Sequence, residues 1–358
     1  MDSQILWLRE TFSHMGQHSG YDQLCTTLEQ EHPNDYSSVW CDRAKTPKGT
    51  GRLLAKLMAS PSSNPLYNSA SALAELKAIW QIRFHRIQQL HVLYVEDGFR
   101  IIAKQKSKIR TRIIGTVHQP PGWWRSIHGY PQELSTLDEL IVLSSNSVEY
   151  FDKYLPGRVH FIPHGVDTSF FSPISSDFPS RQSNNLNCIF VGQWLRDFDT
   201  LIKVIERVIE KNPTIHFNLV IPIYRRHLPE FQLISRHSQV RWYTNLSDQD
   251  LRDLYRQSDL LFLPLIDCTA NNAILEAMAC GLPIVSNAVG GAVDYTQPTF
   301  ANLLPSGDIV GMSEAILSLA DDLEECRRRG TKSRIFVEEN FSWQKVAEQV
   351  SKLYDSKS

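Results

Sequence analysis

The sequence predicts an α/β protein of two domains, each built on a parallel sheet. Three observations carry that expectation. Short apolar runs alternate with helix-like segments for almost the whole length. The chain of 358 residues is long enough for two ordinary cores. A polar stretch with Pro and Ser, "DFPSRQSNN" (177–185), separates two sets of the alternation and reads as a linker or exposed loop, so a boundary is expected near 165–185.

In the first half the expected strands are "QILWL" (4–8), "LHVLYVE" (90–96), "RIIGTVH" (112–118) and "ELIVLSS" (139–145), with a helix at "SALAELKAIWQIRFHRI" (71–87). Residues 42–69, rich in Lys, Pro, Gly and Ser, read as an irregular insertion. The second half repeats the pattern. The strand "LNCIFVG" precedes the helix "FDTLIKVIERVIEKN", whose apolar positions recur at helical spacing. Then come the strand "HFNLVIP", a helix near 229–235, the strand "QVRWYTNL" and the helix "SDQDLRDLYRQS". The strand "LLFLPLI", the helix around Glu276 and the strand "PIVSNA" follow.

Composition removes several function classes. Hydrophobic residues make up 42% and charged residues 21%, the range of a globular protein and not of a disordered chain. A formal charge of -2 gives no reason to expect nucleic acid as the main partner. No apolar run reaches the roughly eighteen residues of a transmembrane helix. The start "MDSQILWLRE" lacks the basic and apolar regions of a signal peptide. The six cysteines are scattered, with neither a CxxC pair nor zinc spacing, so a reduced cytoplasmic protein is expected. The basic run "KQKSKIRTR" (104–112) leaves peripheral contact with an anionic surface open, beside the commoner reading of a solvated helix end.

Ligands of open parallel sheets bind beyond the carboxyl ends of the strands, which directs attention to the following loops. After the first strand, Gly16 and Gly20 permit close approach of backbone N–H groups to an anion just before a helix near Tyr21. After "RIIGTV", His118 ends a strand and "PPGWW" follows. Trp123 and Trp124 there either stack on a sugar or apolar acceptor or pack inward. After "CIFVG", Arg196 precedes a helix that Asp197 can cap, a pairing of cation and helix start suited to a diphosphate. After "LLFLPLI", Asn271 or Asn272 caps a helix whose amides form another anion site. Glu276 is the one charged residue of 268–291, flanked by apolar neighbours. Compensation of the helix dipole is one reading of it. A bidentate acceptor for two vicinal hydroxyls, such as those of a ribose, is the sharper one.

Together, "FIPHGVDTSFF" (161–171), "FVGQWLRDFDTLI", "LSDQDLRDLYRQSDLLFLPL" and "ILEAMACGLPIVSNAVGG" resemble the retaining family 4 glycosyltransferases of GT-B fold, also called glycosyl transferases group 1. The resemblance covers roughly 110–350 and is weaker before that. It implies two Rossmann-like domains facing an interdomain cleft, spanning 1–165 and 166–340, with a terminal helix over 341–358 returning toward the first. It further implies a nucleoside-diphosphate sugar as donor and an acceptor hydroxyl on a small molecule, glycan or lipid. No metal or other cofactor is implied, and no DxD-like acidic cluster is evident.

Carried over by position, His118, Arg196 and Glu276 are the expected catalytic residues. Gly16, Gly20, Asn245, Asn271, Asn272 and Ala273 join Arg196 and Glu276 as expected donor contacts. Tyr21, Trp123 and Trp124 fall on the acceptor side. Two departures stand out. Cys268, with Asp267 beside it, occupies the place of the first motif glutamate, and Gln193 stands where many members have Arg. The lost glutamate normally meets the donor sugar, so which sugar is carried stays open. A non-catalytic binding subunit and a sugar-nucleotide epimerase or phosphorylase on the same architecture are the alternatives. A dehydrogenase is disfavoured because no GxGxxG follows either leading strand.

Overall fold

The structure, a computed structural model, describes residues 5–12, 16–42, 64–127, 130–174 and 185–356. The greater part of the expected insertion (43–63) and of the linker (177–184) lies outside the described residues. The chain divides into two compact units. The first comprises Met1–Met15, Gly20–His164 and Val346–Ser358, and the second Gly16–Ser19 and Gly165–Lys345.

In the first unit the order is β1 (Ile5–Thr11), α1 (Gln23–Glu31), β2 (Tyr36–Asp42), α2 (Ser69–Phe84), β3 (Gln89–Val92) and α3 (Val95–Gly98). There follow β4 (Arg112–Val117), α4 (Pro121–Arg125), β5 (Glu139–Val142), α5 (Ser145–Asp152) and β6 (Val159–Phe161). All pairings are parallel, in the order β2-β1-β3-β4-β5-β6. The order reverses between β1 and β3, so the loops after these strands border the switch point. A capping box starts α2: Asn68 Oδ1 accepts from the Ala70 and Ser71 amides at 2.8 and 3.3 Å, and Ser71 Oγ accepts from the Asn68 amide.

The second unit contains β7 (Asn187–Val191), α6 (Phe198–Lys211), β8 (His216–Val220), β9 (Val240–Tyr243), α7 (Asp248–Arg256), β10 (Leu260–Leu263), α8 (Asn272–Ala279) and β11 (Ile284–Asn287). It continues with β12 (Ala301–Leu304), α9 (Ile309–Asp321) and α10 (Leu323–Phe341). Helix α11 (Trp343–Asp355) closes the chain, and its stretch from Val346 belongs to the first unit. The parallel sheet runs β12-β11-β10-β7-β8-β9, with its reversal between β7 and β10. Strand β10 is buried at every position, as a strand covered on both faces must be. On α6, Leu201, Val204, Ile205 and Val208 are buried at helical spacing while Asp197 caps the first turn through the Thr200 amide.

Three strands appear that the sequence reading lacks, β2, β6 and β12, and all are sheet edges. The expected strand 90–96 ends at Val92, and its last residues turn into α3. In the basic run, Lys106 pairs with Asp138 and Arg112 with Glu139 at 3.1 Å, so two of its cations serve the fold. Among the described residues, no helix is long and apolar enough to cross a membrane.

Candidate functional site

The loops after β7 and β10 are the two that border the switch point of the second sheet. They are tied together by backbone hydrogen bonds from the Asp197 amide to the Pro264 carbonyl and from the Ile266 amide to the Leu195 carbonyl. Leu195 has a φ of 56°, in the left-handed region that costs a branched side chain on the order of 1 kcal/mol. That turn sets the direction of Arg196.

The Arg196 guanidinium is held on three sides. Nε donates to the Val191 carbonyl at 3.0 Å, Nη1 to the Trp194 carbonyl at 3.0 Å and Nη2 to Asn271 Oδ1 at 3.4 Å. Burial pulls its pKa down to about 10, against the raising effect of Cys268, Tyr255 and Glu276. The side chain therefore stays charged at neutral pH. Three of the five N–H groups of an arginine are used in fixing the plane, which leaves two for an anion.

Asn271 is the N-cap of α8, and its Oδ1 also accepts from the Ala273 amide at 3.1 Å. The Ile274 amide bonds the Asn271 carbonyl. The Ala273 amide is thus engaged in the cap. Asn272 is the half-exposed residue at this helix start. Asn245 is exposed, with φ 52°, in the loop between β9 and α7.

Glu276 is 5% exposed. Its Oε1 accepts from Ser19 Oγ at 2.7 Å and its Oε2 from the Tyr255 hydroxyl at 3.0 Å. Burial pushes the carboxyl up to about 7, opposed by these two hydrogen bonds and by Arg196. Gly16–Ser19, which count with this unit, are also tied to Asp248 and Asp167. The His18 amide donates to Asp248 Oδ2 at 2.8 Å, and His18 Nδ1 lies 2.8 Å from Asp167 Oδ2. A Cβ on Gly16 would come within 1.5 Å of Asp248 Oδ1, so a side chain there would displace that carboxylate. Gly20 takes φ 94°. Ser19, Tyr255 and Asp248 escaped the sequence reading, since only tertiary contact links them to Glu276.

Cys268 is buried, its Sγ directed at the Val289 carbonyl 3.7 Å away and its amide held by Asp267 Oδ1 at 2.8 Å. Burial raises the thiol to about 11, so no negative charge stands here near pH 7. Asp267 is engaged in shaping the same turn.

The first unit assembles a different cluster beyond β3 and β4. His118 Nε2 lies 2.8 Å from the Leu93 carbonyl and therefore carries the proton. The ring stacks on Tyr94 with centroids 4.1 Å apart. Burial, then the neighbouring His164, pulls its pKa down to about 3, so the imidazole is neutral. Glu96 Oε1 accepts the His118 and Gln119 amides at 2.5 and 2.7 Å, which fixes the turn after β4. Tyr21 meets His118 edge-on at 4.9 Å but is fully buried. Trp124 is also fully buried, packed edge-on against Phe151 in the core. Neither Tyr21 nor Trp124 presents a surface to an acceptor, a correction to both expected contacts: the first backs His118 and the second fills the core. Trp123 is half-buried against the same core.

Known proteins resemble the chain in both sequence and fold. A family profile described as Glycosyl transferases group 1 matches residues 185–322. A GDP-mannose-dependent monoacylated alpha-(1-6)-phosphatidylinositol monomannoside mannosyltransferase of Corynebacterium glutamicum is 24% identical over 271 residues, 69% of this chain and 70% of the relative. Among solved structures, a sucrose-phosphate synthase from Thermosynechococcus elongatus superposes with a TM-score of 0.76 at 19% identity, covering 98% of both chains. HepE from Anabaena, in complex with UDP and glucose, superposes with a TM-score of 0.71 at 15% identity, covering 99% of this chain and 100% of that one. Residues 185–322 thus match the glycosyl transferases group 1 family, and the chain as a whole has the GT-B fold.

Proposed function

We propose that the protein is a retaining, family 4 glycosyltransferase that moves a sugar from a nucleoside diphosphate to an acceptor hydroxyl. The observation that carries this reading is the constellation after β7 and β10: a fixed, charged Arg196 joined through Asn271 to the start of α8, with the buried Glu276 carboxylate one turn further on. The diphosphate lies on Arg196 and the helix start, where a cation and the dipole oppose the negative charge that grows as the sugar leaves. The ribose hydroxyls donate to Glu276, taking up acceptor capacity now given to Ser19 and Tyr255.

In the transfer, the bond from the anomeric carbon to the phosphate oxygen breaks, and the acceptor oxygen bonds that carbon from the same face. The acceptor proton passes to the leaving diphosphate, so no side-chain base is assigned. Neutral His118 orients the reacting groups through hydrogen bonding and not through charge. The donor is left at its class: the mannosyltransferase relative is named for GDP-mannose and HepE was solved with UDP and glucose. Cys268 favours a second reading, a binding subunit without transfer, because the carboxylate that would meet the sugar is replaced by a neutral thiol.

A thermal-shift screen with UDP-, GDP- and ADP-sugars tests the donor site. Ligand at a hundred times its Kd stabilises by roughly 2.7 kcal/mol, enough to raise the melting temperature by several degrees. A rise with one nucleotide class is expected, and none with any of the three contradicts the proposal. Release of nucleoside diphosphate then separates the enzyme from the binding subunit.

A further inference from the structure

A line of buried polar side chains crosses the first unit, and no step above uses it. Trp7 stands on β1, His91 on β3, Thr116 on β4 and Tyr354 on α11, all buried. Trp7 Nε1 lies 3.1 Å from the Tyr354 hydroxyl, which lies 2.6 Å from His91 Nδ1. On the other side of the imidazole, Nε2 lies 2.8 Å from Thr116 Oγ1, which is 3.5 Å from the Tyr21 hydroxyl.

The direction of these bonds follows from their chemistry. An indole N–H can only donate, so the Tyr354 oxygen accepts from Trp7 and its one proton goes to His91 Nδ1. Desolvation keeps His91 neutral, its pKa drawn down to about 3. A neutral imidazole that accepts at Nδ1 carries its proton on Nε2. That proton goes to Thr116 Oγ1, and the threonine proton is left for the Tyr21 oxygen. The line ends at the phenol that meets His118 edge-on at 4.9 Å and His164 at 5.5 Å.

We propose that Tyr354 is a positioning residue for the His118 cluster: its hydroxyl, acting through His91 and Thr116, sets the orientation of the Tyr21 phenol behind His118. The inference rests on the reading of His118 as a residue that orients the reacting groups. A packing role alone would be met equally by phenylalanine, because the Tyr354 ring meets His91 edge-on whether or not it carries a hydroxyl.

The test compares Tyr354→Phe, Thr116→Val and Thr116→Ser with the wild-type chain. Nitrogen NMR of the imidazoles reads the His91 tautomer, and nucleoside diphosphate release from GDP-mannose and UDP-glucose, with methyl glycosides as acceptors, reads turnover. Wild type should hold His91 as the Nε2–H tautomer, and Tyr354→Phe should lose that preference. Thr116→Val keeps the bond to Tyr354 and should keep the tautomer. Both variants should lower kcat about tenfold with the KM for donor unchanged, and Thr116→Ser should restore it. An Nδ1–H tautomer in the wild type overturns the proposal. So does unchanged turnover in Tyr354→Phe, or a parallel rise in donor KM that marks general loss of structure. Failure of the functional reading looks different: the wild type itself would bind none of the UDP-, GDP- and ADP-sugars.

Discussion

The two strand-end clusters are built on similar sheets and have opposite electrostatic character. Beyond β7 and β10 the second unit keeps a guanidinium, a helix start and a carboxylate close together, and each is pre-set by protein hydrogen bonds. Beyond β3 and β4 the first unit gathers His118, Tyr94, Tyr21 and His164, with the His118 imidazole held neutral. Under the proposed function the two clusters divide the labour: charge is concentrated where a diphosphate would be held, and neutral, directional groups stand where a hydroxyl would be oriented.

The tryptophan pair gives the largest contrast within the first unit. Trp124→Ala should cost about 3–5 kcal/mol of stability, because it empties a fully buried site. Trp123→Ala, at a half-buried position, should cost clearly less; denaturant melts of both variants make the comparison. Equal losses would mean that Trp123 is as much a core residue as its neighbour.

Arg196→Ala should lower turnover about 100-fold or more, as removal of one stabilising donor does elsewhere. The KM for a nucleotide sugar should change less than kcat, since the charge on the leaving diphosphate is greatest in the transition state. Steady-state kinetics decide this, and an unchanged kcat removes Arg196 from the mechanism.

Glu276→Gln should weaken nucleotide-sugar binding about tenfold while improving stability at alkaline pH. The sign follows from the raised pKa of the buried carboxyl, about 7 in the folded chain. Protonation is favoured on folding, so this contribution is full below the unfolded value and is lost as pH rises through 7. Melting temperatures of variant and wild type should therefore nearly coincide at pH 5, separate as pH rises toward 7 and keep a constant gap above it. Wild-type affinity for a nucleotide sugar should fall below about pH 7 as the acceptor is protonated, and the variant should show no such slope. The smallest effect belongs to Cys268→Ala, which should leave donor affinity within about a factor of two, because the thiol faces a carbonyl and carries no charge. A larger loss in a calorimetric titration would give that position a part in reading the sugar.

Central strands were legible in the sequence because burial on both faces makes them continuous apolar runs, as in "LLFL" of β10. The strands that escaped, β2, β6 and β12, are all edges, where partial burial leaves shorter or more polar runs such as "YSSVWCD" and "VHF". The strand reading over 90–96 ran too far because Glu96 turns back to hold the His118 and Gln119 amides. Arg196, Asn271 and Glu276 could be found because each follows a strand and starts or enters a helix. Their partners could not: Ser19 reaches Glu276 across 257 positions of sequence. Trp124 and Tyr21 show the converse, since a loop position near a candidate histidine does not tell whether a ring faces outward or inward.

Titration calorimetry of UDP-, GDP- and ADP-sugars into wild type, Arg196→Ala, Glu276→Gln and the double variant decides whether the loop pair after β7 and β10 is a donor site. Wild type should bind one nucleotide class, each single variant should bind it more weakly, and the double variant should be weakest. Binding at wild-type strength by the double variant, or no binding by the wild type, would contradict the donor-site assignment.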